Sequence, residues 1–462
     1  MRGQLVDELR GVDVAVDAET LGLYARDRSP FVVEPMAVAR VRSVDEVAAC
    51  VRAAASLGVP VTARAGGSSV AGQCLGSGLV VDTSLLGGVE VDGASVWAGA
   101  GVGLDGLNAA LGDVMIGPDV TSSEWAQVGG LVGTNACGSR SLAFGRFADV
   151  LLEAEVVRAD GSVSALSRGS APWPRLAAVL DGLGEAVSAS WPAQHRGFGG
   201  YALDAFAASG SSLSLVPGSE GTLCLVTRAR LAVVPRPSSR VISRAAFGSL
   251  REALDAAPAC AAGGASAVEV LDSHLTGGAP VLLVEHLDAE PRLPSVFTRL
   301  SPADGQAAWA LRRSALARLE SGGTTAVALF EDPAVAPERA GAFADDLLAL
   351  LRRFDLDAVV YGHAAAGCLH VRPLVSSSDR GMVKRLLRAL EEVSDLVSSY
   401  GGAITGEHGW GLARSHLAKR AMGDALYERC VAVKRAWDPD GVLNPGRIVA
   451  AQPPAPETLA IP

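Results

Sequence analysis

The residues with the most capacity for chemistry lie late in the chain. Four of the seven histidines, His363, His370, His408 and His416, fall within residues 363–416. His363 and His370 flank Ala364-Ala365-Ala366-Gly367-Cys368-Leu369, an odd offset of seven. One continuous strand would point the two rings to opposite faces, whereas a turn at the Ala-Gly segment folds them together. Glu407 and His408 sit in the glycine-flanked stretch Thr405-Gly406-Glu407-His408-Gly409. Two imidazoles and one carboxylate with open positions suit a divalent metal such as Zn²⁺ or Mn²⁺. The competing reading is three separate polar residues satisfied by hydrogen bonds, the commoner case for residues far apart in sequence. A carboxylate-bearing substrate would want arginine, whose planar guanidinium matches it bidentately. Arg372 shares the strand parity of His370 and could face the same site.

The elements that must position these groups begin with glycine-rich loops. Residues 43–57 read as an amphipathic helix, with Ser43 as N-cap, Glu46 completing the capping box and Gly58 as the stop. A strand at 59–64, a glycine loop at 65–72 and a strand at 78–82 follow. Further strands are expected at 94–100, at 151–159 with a hairpin turn at Asp160-Gly161, and at 223–227. Glycine clusters recur at 129–138 and 217–222. Backbone amides in such turns form nests for pyrophosphate, although any one loop alone reads as an ordinary tight turn. Gly101-Val102-Gly103-Leu104-Asp105-Gly106 matches G-x-G-x-x-G, so a nicotinamide-binding βαβ unit has to be weighed. No second strand ending in an acid stands about 20 residues on, which argues against it.

Pro235-Arg236-Pro237 breaks the pattern and marks a domain boundary. Beyond it, strand-like and helix-like pieces alternate at 267–271, 281–286, 305–320 and 325–331, and 337–353 and 379–400 read as helices. This texture fits an α+β domain with an antiparallel sheet covered by helices. The Pro-rich tail 452–462 reads as loose.

Bulk properties narrow the function classes. The 462 residues are 49% hydrophobic and 19% charged, which fits a globular protein of two or three domains. A net charge of −10 disfavours nucleic acid and anionic lipid as partners. No apolar run approaches the roughly 20 residues of a membrane span, and acids occupy the N-terminal region where a signal peptide would be apolar. The expectation is a cytoplasmic protein. The seven scattered cysteines, never spaced C-x-x-C, argue against disulfide, zinc-ribbon and iron–sulfur frameworks.

Taken together, the loops resemble a known family. Arg64-Ala65-Gly66-Gly67-Ser68-Ser69, Gly117-Pro118-Asp119, Gly129-Gly130-x-x-Gly133-Thr134-Asn135-Ala136-x-Gly138 and Ser219-Glu220-Gly221-Thr222-Leu223 occur in order and at familiar spacing. This is similar to the FAD-binding domain of the vanillyl-alcohol-oxidase/p-cresol-methylhydroxylase flavoproteins. Within that group the chain, from about residue 30 to about 448, resembles the FAD-linked D-2-hydroxyacid dehydrogenases, such as D-2-hydroxyglutarate dehydrogenase, D-lactate dehydrogenase and glycolate oxidase subunit.

The resemblance implies an α+β fold: a two-lobed FAD-binding domain of the p-cresol methylhydroxylase type, then an α+β substrate domain with an antiparallel sheet. The expected boundaries are 1–236 for the FAD-binding domain, 237–419 for the substrate (cap) domain, 420–450 for a helical segment returning to the FAD domain, and 451–462 for a flexible tail. Arg64, Gly66, Gly67, Ser68, Ser69, Pro118, Asp119, Gly129, Gly130, Gly133, Thr134, Asn135, Gly138, Glu220, Gly221 and Asn444 are the implied FAD contacts. The cofactor is implied to be non-covalent, because the 64–72 loop has no His or Cys. The resemblance further implies a divalent metal, Zn or Mn, on His363, His370 and Glu407, with His408 as catalytic base and Arg312 on the substrate carboxylate.

Hydride transfer from Cα of a D-2-hydroxyacid to flavin N5 is then the expected reaction. The sequence departs from the family in two places. Ala365-Ala366-Gly367-Cys368 replaces G-D-G-N, and no Lys stands near Leu329-Phe330-Glu331-Asp332, where the 2-hydroxyglutarate enzymes carry one. Two alternatives therefore stand beside the first reading. One is an FAD-dependent oxidase or dehydrogenase of an alcohol or sugar-like biosynthetic intermediate. The other is a non-catalytic flavin-binding subunit of a complex. Expected partners are a small-molecule substrate and an electron acceptor, which could be oxygen, a quinone or a carrier protein; a homodimer is compatible with the sequence.

Overall fold

The computed structural model describes residues 1–319, 324–376 and 381–461. The ends of the expected 305–320 and 379–400 helices, at 320 and 379–380, and the last residue of the tail lie outside the described residues.

The first lobe begins with the helix Val44–Ser56, whose N-cap Ser43 accepts the Glu46 amide. Its Val47, Cys50, Val51 and Ala54 recur at helical spacing and are buried, and Gly58 ends it at φ +64°. The helix lies between strands of a four-stranded sheet ordered Asp13–Ala15, Ala37–Arg40, Leu79–Asp82, Val61–Arg64. Leu79–Asp82 runs parallel to both its neighbours, and the glycine loop 65–72 leaves from the C-terminal end of the edge strand Val61–Arg64. A five-stranded sheet follows, ordered Val89–Asp92, Ser95–Gly99, Cys224–Ala232, Leu151–Arg158, Val163–Ser167, with each pairing antiparallel. The Asp160-Gly161 turn closes the expected hairpin.

This sheet removes the nicotinamide reading. The strand before Gly101-x-Gly103-x-x-Gly106 has antiparallel neighbours on both sides, so the helix Leu104–Ala110 is no parallel crossover.

Beyond Pro235 a seven-stranded antiparallel sheet is ordered Thr298–Arg299, Arg240–Ala246, Val281–Leu287, Ala267–Leu271, Asp357–His363, Cys368–Ser376, Thr324–Ala326. The helices Leu250–Ala262 and Ala340–Arg353 pack on each other and against it, burying Leu254, Ala257, Phe343 and Leu347. The expected strand at 325–331 is shorter. It ends at Ala326, because the chain turns at 327–329 and Asp332 takes up φ +58°, which swings two acids inward.

The final helical stretch, Ala418–Trp437, is broken at Gly423 and returns to the first lobe. There Trp437 lies 4.3 Å from Trp173, centroid to centroid. Val442–Asn444 then docks beside the first sheet, with Val61 N donating to Val442 O and Asn444 N to Val61 O. This delivers Asn444 to the glycine loops. Among the described residues no helix is long and apolar enough to cross a membrane.

Candidate active site

A tight hairpin brings the two histidines together. Strands Asp357–His363 and Cys368–Ser376 are joined by a single 3-10 turn at 364–366, with Gly367 at φ +64°. A Cβ on Gly367 would stand 1.9 Å from Val335 O, so the turn excludes any other residue. The register sets Tyr361 opposite His370 and His363 opposite Cys368. His363 Nε2 and His370 Nε2 end 3.3 Å apart.

Glu407 Oε2 completes a triangle, 2.9 Å from His363 Nε2 and 3.6 Å from His370 Nε2. A metal bonded at about 2.0–2.1 Å holds its donors roughly 3.0–3.4 Å apart, so the donor set fits one divalent cation. His408 Nδ1 with Glu331 and His370 Nδ1 forms a second cluster of ligand type.

Each imidazole is oriented by a buried carboxylate, and each carboxylate by an arginine. His363 Nδ1 meets Glu269 Oε1 at 2.6 Å, and Arg312 Nε donates to Glu269 Oε2 at 2.7 Å. His370 Nδ1 lies 3.0 Å from Glu331 Oε2, and Arg372 pairs with Glu331. His408 Nδ1 lies 3.0 Å from Asp332 Oδ1, with Arg414 Nη1 at 3.4 Å from the same oxygen. Arg196 Nη1 donates to Glu407 Oε2 at 2.7 Å.

Glu269, Glu331 and Asp332 are fully buried, a placement that costs several kcal/mol per ion unless paired. Burial alone would raise their pKa values. His363 and Arg312 outweigh it at Glu269, which sits at about 2, while Glu331 is held well below its usual range by Arg372 and His370. Burial pushes His408 down, but Asp332, Glu407 and Glu331 prevail and leave it at about 8. Arg312 is spent on Glu269 through Nε alone. It stacks on the Tyr361 ring at 4.8 Å, and its Nη amines have no hydrogen-bond partner among the described residues.

The glycine loops meet on the other side of His408. Gly66 packs against Trp125 O and Gly138 against Asp119 O so closely that a Cβ would come within 1.9 and 1.5 Å. Gly130 stands against Ala65, and Gly129 against Ala100. The amides of Gly66, Gly67, Ser68 and Ser69 donate to no acceptor among the described residues, and Gly67 has φ +64°. Unpaired amides around a left-handed glycine form an anion nest, so the loop fits a dinucleotide phosphate. Gly133 faces open space, with Thr134 beside it bonded back to Gly130 O. Asn135, Glu220 and Asn444 all have positive φ. Non-glycine residues hold that conformation at a cost of about 1 kcal/mol or more, and such sites gather where function constrains the backbone.

Asn444 Nδ2 donates to Gln73 O and Glu220 O, tying three segments together. Gly221, at φ +68°, lies against Ala63. Asp119 Oδ1 accepts the Arg140 amide, with Pro118 preceding it. The Arg64 side chain is turned to Arg26 O and the Tyr24 ring.

The loop bearing His408 is fastened directly to this cradle. Gln73 donates to His408 O, and the Glu220 carboxylate accepts from Trp410 N at 2.6 Å and Gly411 N at 2.9 Å. Sequence reasoning missed Arg196, Glu269, Asp332, Arg414 and Gln73. A signal existed for Glu269, a lone carboxylate inside the apolar strand Ala267–Leu271. None existed for Arg196, whose role depends on a loop closing over two distant segments.

Fold and site together define a two-lobed, dinucleotide-binding α+β protein with an antiparallel substrate-domain sheet. A model of the FAD binding domain matches residues 35–167, and one of the FAD linked oxidases, C-terminal domain, matches 283–448. The chain thus carries a domain similar to each of these two models. It is 28% identical to a D-2-hydroxyglutarate dehydrogenase of Pseudomonas putida, an alignment covering 94% of this chain and 50% of that one. The chain thus spans about half the length of the D-2-hydroxyglutarate dehydrogenases it matches. It is 26% identical to a D-lactate dehydrogenase of Archaeoglobus fulgidus, over 92% of this chain and 95% of that one. Its fold is shared with p-cresol methylhydroxylase, at a TM-score of 0.65 and 15% identity over 97% of this chain and 96% of that one.

Proposed function

We propose that this chain oxidises a D-2-hydroxyacid to the 2-oxoacid, with FAD in the glycine cradle and a divalent cation on His363, His370 and Glu407. The observation that carries the reading is the convergence of His363 Nε2, His370 Nε2 and Glu407 Oε2 within 3.6 Å of one another, with a buried carboxylate beside Nδ1 of each of the three imidazoles. The relatives named for D-2-hydroxyglutarate and D-lactate supply the substrate class.

Arg312 binds the substrate carboxylate through its two Nη atoms while Glu269 holds its Nε. His408, steadied by Asp332, takes the hydroxyl proton at Nε2. Flavin, when bound, would supply N5 as acceptor of the Cα hydride, which carries both electrons; with the hydroxyl proton on His408, the two hydrogens lost by the substrate are accounted for. A cation, when bound, lowers the pKa of the substrate hydroxyl and disfavours an imidazolium at His408.

The domain limits of 1–236, 237–419, 420–450 and 451–462 belong to the same reading, as do the FAD contacts named from sequence. Anaerobic titration with D-lactate, D-2-hydroxyglutarate and plain alcohols, with and without chelator, tests it. Bleaching of the flavin by a D-2-hydroxyacid, slowed at least a hundredfold by chelator, is the expected result. Bleaching by alcohols alone, or indifference to chelator, would refute it.

A further inference from the structure

The segment Thr405–Gly411 carries both Glu407 and His408; Asp332 holds the amides of these two residues from the substrate-domain side, and a second set of anchors comes from the flavin side. Gln73, itself bonded to Ser69, holds His408 O. Glu220 holds the amides of Trp410 and Gly411, and Gly199 N donates to Thr405 Oγ1 at 2.8 Å. Arg196 makes the one contact that reaches a side chain of the ligand triangle from this side among the described residues. Its guanidinium is fully buried. Nη2 donates to Gly138 O at 3.0 Å and Ser141 Oγ at 2.9 Å, while Nη1 donates to Glu407 Oε2 at 2.7 Å. Nε has no partner.

A guanidinium is a rigid plane, so a shift of Gly138 on one edge is passed to Glu407 on the other. Gly138 cannot move independently of the Asp119 loop, against which its backbone is packed.

We infer that Arg196 is a positioning residue that couples the two ligand sites: filling the dinucleotide cradle fixes the 137–141 loop, and through Arg196 fixes Glu407 where it meets His363 and His370. The inference rests on the proposed function above. FAD and the divalent cation then bind with positive cooperativity, and each raises the affinity of the other by the same factor. A factor of about ten is expected, within the range of about 5–150 typical of coupled sites.

The test uses the full chain stripped of flavin at high bromide concentration. Zn²⁺ and Mn²⁺ affinities are measured by competition with a chromophoric chelator, with and without saturating FAD. FAD affinity is measured by fluorescence quenching, with and without the cation. The same four constants are taken for Arg196→Lys, which keeps the charge but cannot span both partners, and for Arg196→Met. Wild type should show equal factors of about ten in both directions, falling to about one in Arg196→Lys with its melting temperature and FAD binding nearly unchanged. Equal cation affinity with and without FAD in the wild type would overturn the coupling while leaving the proposed function intact. Coupling undiminished in both variants would overturn the role of Arg196. A wild type that binds no cation in either state would sink the functional reading, and this inference with it.

Discussion

Replacing Glu269 by glutamine probes the orientation of the site at constant volume. The carboxylate accepts two donors, His363 Nδ1–H at 2.6 Å and Arg312 Nε–H at 2.7 Å. An amide has one accepting oxygen and a donating NH₂, so one of the two must face a donor. If Arg312 keeps the oxygen, His363 must move its proton to Nε2, and that nitrogen can no longer ligate. If His363 keeps it, Arg312 Nε–H faces the amide NH₂; in either case the buried guanidinium loses its counter-ion, which costs about 3–5 kcal/mol. Loss of a carboxylate behind a histidine ligand weakens metal binding about 10–100-fold. Glu269→Gln should therefore lose cation by that factor in chelator competition, and its KM for the hydroxyacid should rise as Arg312 is misplaced. The flavin spectrum should persist, since Glu269 touches no glycine loop. Wild-type cation affinity together with wild-type KM would refute the reasoning.

Three further expectations follow from the same geometry. Gly133→Ala meets nothing within 4 Å and should fold with an unchanged melting temperature, yet bind FAD at least tenfold more weakly because its methyl enters the cradle; unchanged FAD affinity would place the cofactor elsewhere. His408→Gln should cut the rate of anaerobic flavin reduction about 10²–10⁴-fold while retaining FAD and cation, and a rate within threefold of wild type would remove it as the base. Burial holds His416 at about 4, against its ordinary 6.5 when unfolded. The folded state then binds fewer protons between these values, so stability falls as pH drops from about 6.5 to about 4, by about 3 kcal/mol in all. His416→Gln should flatten that limb of a melting-temperature profile, and an equally steep limb would count against it.

Local chemistry made much of the fold legible. Ser43 and Gly58 bracket a helix because capping is decided by a few neighbouring residues, and Asp160-Gly161 forces its hairpin in the same way. Gly367 determined the folding-back of His363 and His370, since a left-handed turn is available to glycine at little cost. The G-x-G-x-x-G match, argued against from sequence, is one of form only: the motif is local, whereas the antiparallel character of its strand is set by its neighbours Val89–Asp92 and the distant Cys224–Ala232.

What the amino-acid order could not reveal was the outer ring of charge. Glu269, Glu331 and Asp332 with their arginines Arg312, Arg372 and Arg414 come from separate strands, helices and loops. Nothing in their spacing relates them, because a buried ion pair is specified by packing of whole elements rather than by separation along the chain. The sequence by itself determined which residues could ligate, turn or cradle. Tertiary structure alone decided which nitrogen of each imidazole faces the site, since that choice belongs to whichever carboxylate the fold places behind the ring.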